Sequence, residues 1–553
     1  MDAERPAICL DGSHLEGGGQ ILRLALSIAS VTGRAVKVDK IRANRAAKPF
    51  SSKKSKEREA TLKATRGAAR STDNGGAGDA GSAREHAACG QPRLGKRSGG
   101  GLKNSHLASA KFLAHATSAS KIGLEIGSLE LLFSPPPTTS ADRRFGANSL
   151  EGGVWTDIYG PYPREIGQEW EIVGREATIT LTSPGSVTLI LQAILPWLLM
   201  GSPCSSNSPP SSSLPPPLKV TIQGGTNVTS APSYDYTAQV LLPLLNAYLA
   251  PLYPTSSPAI TSELRSRGWC FGRDLRPGKV SFRVQPLPPN STLPPLRLQD
   301  PGRLTQIHAT ILAPSDRWID RTMDRISEAV EARWKDVELD FPVFRKTGHS
   351  HKFYVLLVAE TSTGCRIGRD HLFVPVSART AAEVQRERTR QADLLVEEQV
   401  VEGTVRTAIG HLEEEISSGA CVDEHMQDQL VVFQTLAEGR SVVRGRRRAD
   451  EQEIAREEEV KSYDQVKGKQ VGSSGDSDDG GAGHGATLHT KTARWVAQTM
   501  LDDKEIVFTE DGSCHRLGAR EGAGHIEDEE EVGVGTLATS MGAVTIEEHK
   551  DGG

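Results

Sequence analysis

One succession recurs along this chain and constrains its fold more than any other feature: a short strand-like run, a glycine-rich turn, an apolar helical stretch and a second strand. Ile8-Cys9-Leu10 is followed by Asp11-Gly12 and Gly17-Gly18-Gly19; Ile21, Leu22, Ala25, Leu26, Ile28 and Ala29 then fall at helical spacing. Thr32-Gly33 stops that helix, and Val36 to Ile41 alternates as a strand. The order returns with the strand Ala177–Leu181, the turn Ser183-Pro184-Gly185, an apolar helix from Val187 and the strand Leu218–Ile222. A helix over Ala238–Leu249 and a strand over Val280–Val284 extend it. This predicts an α/β protein of duplicated units, repeating at roughly 80–100 residues once inserts are discounted.

Between these units, His106 to Ala116 has helical periodicity and Leu124 to Phe133 alternates as strands. Residues 300–375 differ in character: a strand over Ile307–Leu312, an amphipathic charged helix over Ile319–Val337 and a strand over Phe353–Glu360 predict a small α/β unit, followed by a charged helical stretch over 376–418. Residues 50–100 carry eleven basic and five acidic residues without apolar periodicity, which predicts a disordered basic insert. Residues 440–485, from Arg444-Gly445-Arg446-Arg447-Arg448 through an acidic patch to a Ser/Gly-rich run, predict a second, and residues 521–553 a mobile tail.

Lysine and arginine number 65 against 70 aspartate and glutamate, a formal net charge of −5, which excludes a uniformly basic nucleic-acid binder but not a local basic channel. The cysteines are odd in number, and no two are spaced as C-x-x-C; a zinc ribbon is excluded and a disulfide scaffold disfavoured. The longest apolar run, Val187–Met200, contains Gln192 and Pro196 and is shorter than the ~20 residues a membrane span needs. With an acidic N-terminus lacking an apolar stretch, the chain reads as soluble and intracellular, without a membrane partner.

Four segments then point to one family: Asp11-Gly12-Ser13-His14-Leu15-Glu16-Gly17-Gly18-Gly19-Gln20-Ile21-Leu22-Arg23; Ile41-Arg42-Ala43-Asn44-Arg45; Gly185-Ser186-Val187-Thr188-Leu189-Ile190-Leu191-Gln192 with Gly224-Gly225-Thr226-Asn227; and Asp423-Glu424-His425-Met426-Gln427-Asp428-Gln429-Leu430. In order and spacing they resemble the RNA 3′-terminal phosphate cyclases. A fifth segment, Leu488-His489-Thr490-Lys491-Thr492, falls where that family keeps its nucleophilic histidine. The resemblance implies a large domain of repeated βαβαββ units like those of enolpyruvyl transferases, with a smaller inserted α/β domain. On this chain that corresponds to residues 1–49, 101–295, 401–439 and 486–520 for the large domain and 296–400 for the small one.

The resemblance also implies the chemistry and its residues. ATP activates an RNA 3′-phosphate, which closes to a 2′,3′-cyclic phosphate by way of a histidine–AMP and an adenylylated RNA end. Imidazole suits the first attack because it is neutral and nucleophilic near pH 7. His489 is the implied nucleophile; Arg23, Arg42 and Arg45 are the implied catalytic arginines, whose forked guanidinium groups pair with phosphate oxygens. Gln192, Asp235, His425, Met426, Gln427, Asp428 and Gln429 are the implied nucleotide-holding residues, although Asp423 and the charged residues after it would also make an ordinary helix start. Glu16 is the implied carboxylate for Mg2+ or Mn2+ beside the triphosphate, or equally a partner for Arg23. The implied partner is RNA with a 3′-phosphate end, and the implied location is the nucleus. Three departures stand out: Ala493 replaces an asparagine usual four residues after the histidine, Lys103-Asn104-Ser105-His106 keeps a histidine but lacks the usual Arg-Gln pair, and Arg273-Asp274-Leu275-Arg276-Pro277-Gly278 stands where the family tends to have a Gly-rich turn. A second reading is a non-catalytic relative acting in ribosome biogenesis, which shares the fold and lacks the histidine.

Overall fold

The computed structural model describes residues 6–43, 100–136, 170–173, 175–181, 185–201, 214–254, 257–270, 276–288, 291–349, 352–374, 390–446, 486–501, 506–509 and 512–516, with backbone only for 170–173, 390–396 and 516. The chain opens with β1 (Ile8–Asp11), α1 (Gly19–Thr32), β2 (Val36–Asp39), α2 (Asn104–Ala116), β3 (Ser120–Ile122) and β4 (Leu131–Ser134). These strands form one sheet in the order β1-β2-β4-β3, with β1 and β2 parallel and the other pairs antiparallel. Next come β5 (Trp170–Val173), β6 (Glu176–Thr180), α3 (Val187–Met200), β7 (Leu218–Gly224), α4 (Leu242–Leu249), β8 (Ile260–Ser266) and β9 (Gly278–Val284). Their sheet runs β5-β6-β7-β9-β8, so β6 to β9 repeat the first sheet's order behind one extra edge strand.

After β10 (Arg297–Leu298) the chain enters a separate four-stranded sheet made of β11 (Leu304–Ala313), β12 (Glu338–Lys346), β13 (Phe353–Thr361) and β14 (Arg366–Phe373), in the order β12-β11-β13-β14. The helices α5 (Asp316–Arg333) and α6 (Arg390–Ser417) accompany it. Then α7 (Glu424–Leu436), β15 (Ser441–Val443), α8 (Leu488–Leu501), β16 (Ile506–Phe508) and β17 (Ser513–Arg516) follow, and β10-β15-β17-β16 form a fourth sheet of the same order as the first.

Two apolar cores result. α1 packs against α3 and α8, α2 against α3, and α7 against α8. Their inward faces, with the strands of the three like-ordered sheets, make one continuous cluster that includes Ile21, Leu26, Phe112, Ile194, Phe282, Met426 and Val496. The second core lies between the β11–β14 sheet and α5 and α6, with Ile307, Ile311, Ile326, Phe353, Val355, Val405 and Leu412 buried. The mixed α/β class read from the sequence is the class observed.

Several details differ from expectation. The expected boundary at residue 400 falls inside α6, because Val401, Val405, Ala408, Ile409 and Leu412 recur at helical spacing and bury together against the second core. The start of the expected insert 440–485 is ordered: Ser441–Val443 is a strand, its hydrogen bonds drawn from Leu296 and Leu298, some 145 residues earlier, and from β17. A three-residue strand beside an arginine run has no periodicity to read. The expected strands over Leu124–Phe133 are mostly a turn that leaves Ile126 and Leu129 exposed, with β4 starting at Leu131. β8 and β12 were not anticipated. The basic block 50–99, residues 447–485 and the tail 521–553 lie outside the described residues. Among the described residues no helix is long and apolar enough to cross a membrane.

Candidate functional site

α1 sets the site. Its C-terminus is closed by Gly33, whose φ of 71° puts its N–H on the Ala29 carbonyl. Its N-terminus carries no side-chain cap and no acidic residue in the first turn, so the orphan N–H groups and the positive end of the helix dipole are available to an anion. The turn is tight against its surroundings: a Cβ on Gly19 would stand 2.0 Å from His106 Nε2 and 3.1 Å from an Arg23 nitrogen. His106, buried at the start of α2, accepts at Nδ1 from the Lys103 backbone N–H at 3.4 Å.

His489 lies in the first turn of α8, next to this terminus. Its Nδ1 is 2.8 Å from Glu16 Oε2 and 3.1 Å from Gln20 Oε1. The Glu16 side chain is 11% exposed and the imidazole 56%. The carboxylate and the Gln20 amide oxygen therefore hold a proton on Nδ1. The hydrogen bond to Glu16 raises the His489 pKa above its ordinary 6.5, with burial opposing and Asp428 adding to the rise. Glu16 thus pairs with His489.

Gln20, almost wholly buried, was not singled out by sequence. Its Nε2 donates to Asp428 Oδ2 at 2.6 Å while its Oε1 faces His489, so one amide bridges α7 and α8. Burial pushes the Asp428 carboxyl up to about 6, against the pull of His489 and Arg23. Arg23, one turn along α1, donates from Nε to Gln192 Oε1 at 2.8 Å, which gives the Gln192 amide its partner on α3. Gln20, Arg23, Gln192, Asp428 and Gln429 line one narrow cleft between α1, α3 and α7. Ala493 is fully buried in the α8 core, so the histidine is oriented here by Glu16 and Gln20 in place of an asparagine.

The remaining expected residues divide. Asp423 is the α7 N-cap: its Oδ1 accepts from the His425 and Met426 N–H groups, both at 3.0 Å, and from Tyr236 Oη at 2.6 Å; its Oδ2 accepts from the Gly368 N–H at 2.9 Å. His425 is exposed, edge-on to Tyr236, with Nε2 3.3 Å from Arg369. Met426 is buried in the main core. Gln427 accepts from Thr490 Oγ1 at 3.3 Å, and Gln429 donates to the His425 carbonyl at 2.7 Å. Met426 and Gln427 thus help set α7 in place, while Gln429 also lines the cleft. Asp235 is buried and held by Arg267 through two hydrogen bonds of 2.6 and 2.9 Å, a pairing across 32 positions that sequence could not disclose. Arg42 is also buried, in a turn with φ 56°, and donates to the Gly101 carbonyl at 3.4 Å. Arg45 lies outside the described residues.

A second cavity lies beside α7's start, between the 227–233 loop and the β13–β14 face, lined by Asn227, Thr229, Ser230, Tyr354, Asp370 and Leu372. Asn227 is fully buried, and its Nδ2 has no hydrogen-bond partner. Tyr354 Oη donates to Asp370 Oδ2 at 3.0 Å, and burial holds the Asp370 carboxyl above its usual range. An orphaned amide donor, a poised carboxyl and an apolar wall suit a polar heterocycle such as a nucleobase. The described residues contain no group of three His, Cys, Asp or Glu side chains able to hold a metal ion.

Comparison with known proteins gives the family. The model for the RNA 3′-terminal phosphate cyclase family matches residues 14–54 and 93–462, a span that holds Glu16, Gln20, Arg23, Gln192 and Asp428 and ends before His489. A probable RNA 3′-terminal phosphate cyclase of Dictyostelium discoideum is 24% identical over 450 residues, covering 80% of this chain and 73% of its own. An RNA 3′-terminal phosphate cyclase of Staphylothermus marinus is 25% identical over 439 residues, 78% of this chain and 85% of its own. One from Koribacter versatilis is 25% identical over 305 residues, about half of each chain. With the family model matching most of its length, the chain belongs to the RNA 3′-terminal phosphate cyclase family.

Proposed function

We propose that this chain is an ATP-dependent RNA 3′-terminal phosphate cyclase that works through a histidine–AMP. The observation that carries this reading is the His489–Glu16–Gln20 contact: with Nδ1 held as a donor, Nε2 is the nitrogen left to attack. Nε2 attacks the α-phosphorus of ATP, a P–N bond forms and pyrophosphate leaves. A 3′-phosphate oxygen of the RNA then takes the adenylyl group from His489. Last, the vicinal 2′-hydroxyl attacks the activated phosphorus, AMP leaves and the ring closes. Arg23 and the bare N-terminus of α1 would meet the charge that builds on the phosphoryl oxygens. The cavity beside Asn227, Tyr354 and Asp370 would hold the base, with His425 at its edge, and Mg2+ or Mn2+ would sit on Glu16 and the phosphates.

In this reading the three like-ordered sheets with their helices are the family's repeated βαβαββ units, and the β11–β14 sheet with α5 and α6 is the inserted domain. The expected partner is RNA bearing a 3′-phosphate, and the expected location is the nucleus. The test is incubation with ATP labelled at the α-phosphate. Wild type is expected to take up an acid-labile, base-stable label that His489→Ala does not. Absence of label in wild type would leave the non-catalytic, ribosome-biogenesis reading in place.

A further inference from the structure

The loop Asp11–Gly18 is fastened at both sides. The Arg42 backbone N–H donates to the Gly12 carbonyl at 3.2 Å, which ties its start to the turn that carries Arg42. The Glu16 backbone N–H reaches Thr492 Oγ1 at 3.5 Å, while the Glu16 side chain holds His489, which ties its end to α8. Between these anchors His14 is exposed, and its ring lies on Trp495, with centroids 4.3 Å apart and planes tilted by 38°. Trp495 is backed by the main core, so the stack is braced from below and open above. Leu15 beside it is 42% exposed with φ 50°, a conformation costly for a leucine, and Leu488 next to the nucleophile is 49% exposed.

Trp495 follows His489 by six positions on one helix, which is about 9 Å along the axis. Single-stranded RNA advances by a comparable length over one to two nucleotides. Unpaired bases are taken up by aromatic and imidazole faces, which are indifferent to sequence. An RNA end delivered to His489 has this stack within reach of its last bases.

We propose that His14 and Trp495 form a stacking platform for an unpaired nucleobase at or next to the 3′ end of the RNA substrate. The proposal rests on the cyclase reading for the choice of ligand, and its test is arranged to be separable from it. Binding is measured by fluorescence anisotropy with a short single-stranded oligoribonucleotide carrying a 3′-phosphate, and with the same oligomer made abasic at its last two nucleotides. His14→Ala is expected to weaken binding of the intact oligomer about five- to hundredfold, the range of one lost base–aromatic stack. The abasic oligomer should bind wild type as weakly as the intact one binds His14→Ala, and should not notice the substitution. His14→Phe should restore binding of the intact oligomer. Because Trp495 also braces the core, Trp495→Phe is the variant used there, with an unfolding midpoint taken alongside. Equal loss for both oligomers in His14→Ala, no loss for either, or failure of phenylalanine to rescue would each overturn the platform. Labelling with ATP in the absence of RNA is read on the same preparations: if wild type never labels while the His14-dependent, base-dependent binding persists, the cyclase reading falls and the platform stands.

Discussion

Gln20 Oε1 lies 3.1 Å from His489 Nδ1, although 469 positions separate the two residues. The same amide donates to Asp428 at 2.6 Å. The residue that orients His489 is thus also the one that connects it to α7. Replacing it by alanine removes both contacts and leaves a half-buried carboxylate unsatisfied. Gln20→Ala is expected to slow His489 labelling by about ten- to hundredfold, the worth of one or two hydrogen bonds to charged groups. Gln20→Glu should do no better, because a second carboxylate beside Asp428 pushes that group's pKa further above 6. Single-turnover labelling with the two variants checks both statements; near-normal rates would remove Gln20 from the site.

The Glu16 contact makes a prediction about pH. Nε2 attacks only from the neutral imidazole, and the bond to Glu16 raises the His489 pKa above 6.5. The labelling rate should therefore climb with pH through a value above 6.5. Glu16→Gln withdraws the charge that favours imidazolium, so its acid limb should move to lower pH while its plateau falls. The effect on folding has the opposite sense. The ion pair stabilises the native state fully below 6.5, and its contribution is lost as pH rises through the raised native value. With the imidazole 56% exposed, that contribution is screened and small. A pH–rate profile with unmoved limbs in Glu16→Gln would show that another group sets the acid limb.

How much of this was legible in the sequence differs by residue. The α1 unit was plain because its apolar residues are local and periodic, and because Gly33 closes it in the left-handed region. His489 was legible through a motif, as was Arg23. Gln20 was not: a glutamine in the first turn of an amphipathic helix is ordinarily a surface residue, and both of its partners lie more than 400 positions away. Asp235 was assigned to the nucleotide by the resemblance alone, and its two hydrogen bonds to Arg267 span 32 positions with no local signal. β15 and β10 escaped notice because strands of three and two residues have no period to detect. Local pattern reported the elements; pairings across hundreds of residues, on which the site depends, leave no mark in composition or spacing.

Gly19 offers a structural test of how closely the site is packed. Its missing Cβ leaves the space taken by His106 Nε2, which would stand 2.0 Å from it. Gly19→Ala must displace a buried ring or the start of α1, at a cost of about 1–3 kcal/mol for an overpacked position. Gly19→Ala combined with His106→Ala should recover part of that loss, since the second change removes the obstacle. Denaturant unfolding of the two single variants and the double variant gives the coupling. Additive losses would place the strain elsewhere than between these two residues.

The final prediction separates the nucleophile from the rest of the site. If His489 only carries AMP, His489→Ala abolishes labelling and cyclisation of RNA 3′-phosphate, yet still closes the ring of RNA supplied already adenylylated at its 3′ end. Ring closure joins the 2′-hydroxyl to the activated phosphorus and expels AMP; it needs alignment and cationic support but no protein nucleophile. Arg23 keeps its hydrogen bond to Gln192, 2.8 Å long, when His489 is shortened. Arg23→Ala should show the converse pattern, with ring closure from pre-adenylylated RNA slowed by about ten- to hundredfold. The measurement is conversion of pre-adenylylated oligomer to 2′,3′-cyclic product and AMP under single-turnover conditions. Loss of this last step in His489→Ala, with the variant folded, would mean that the imidazole also takes part in ring closure. If His489→Ala still labels with ATP and His425→Ala does not, the two histidines exchange roles.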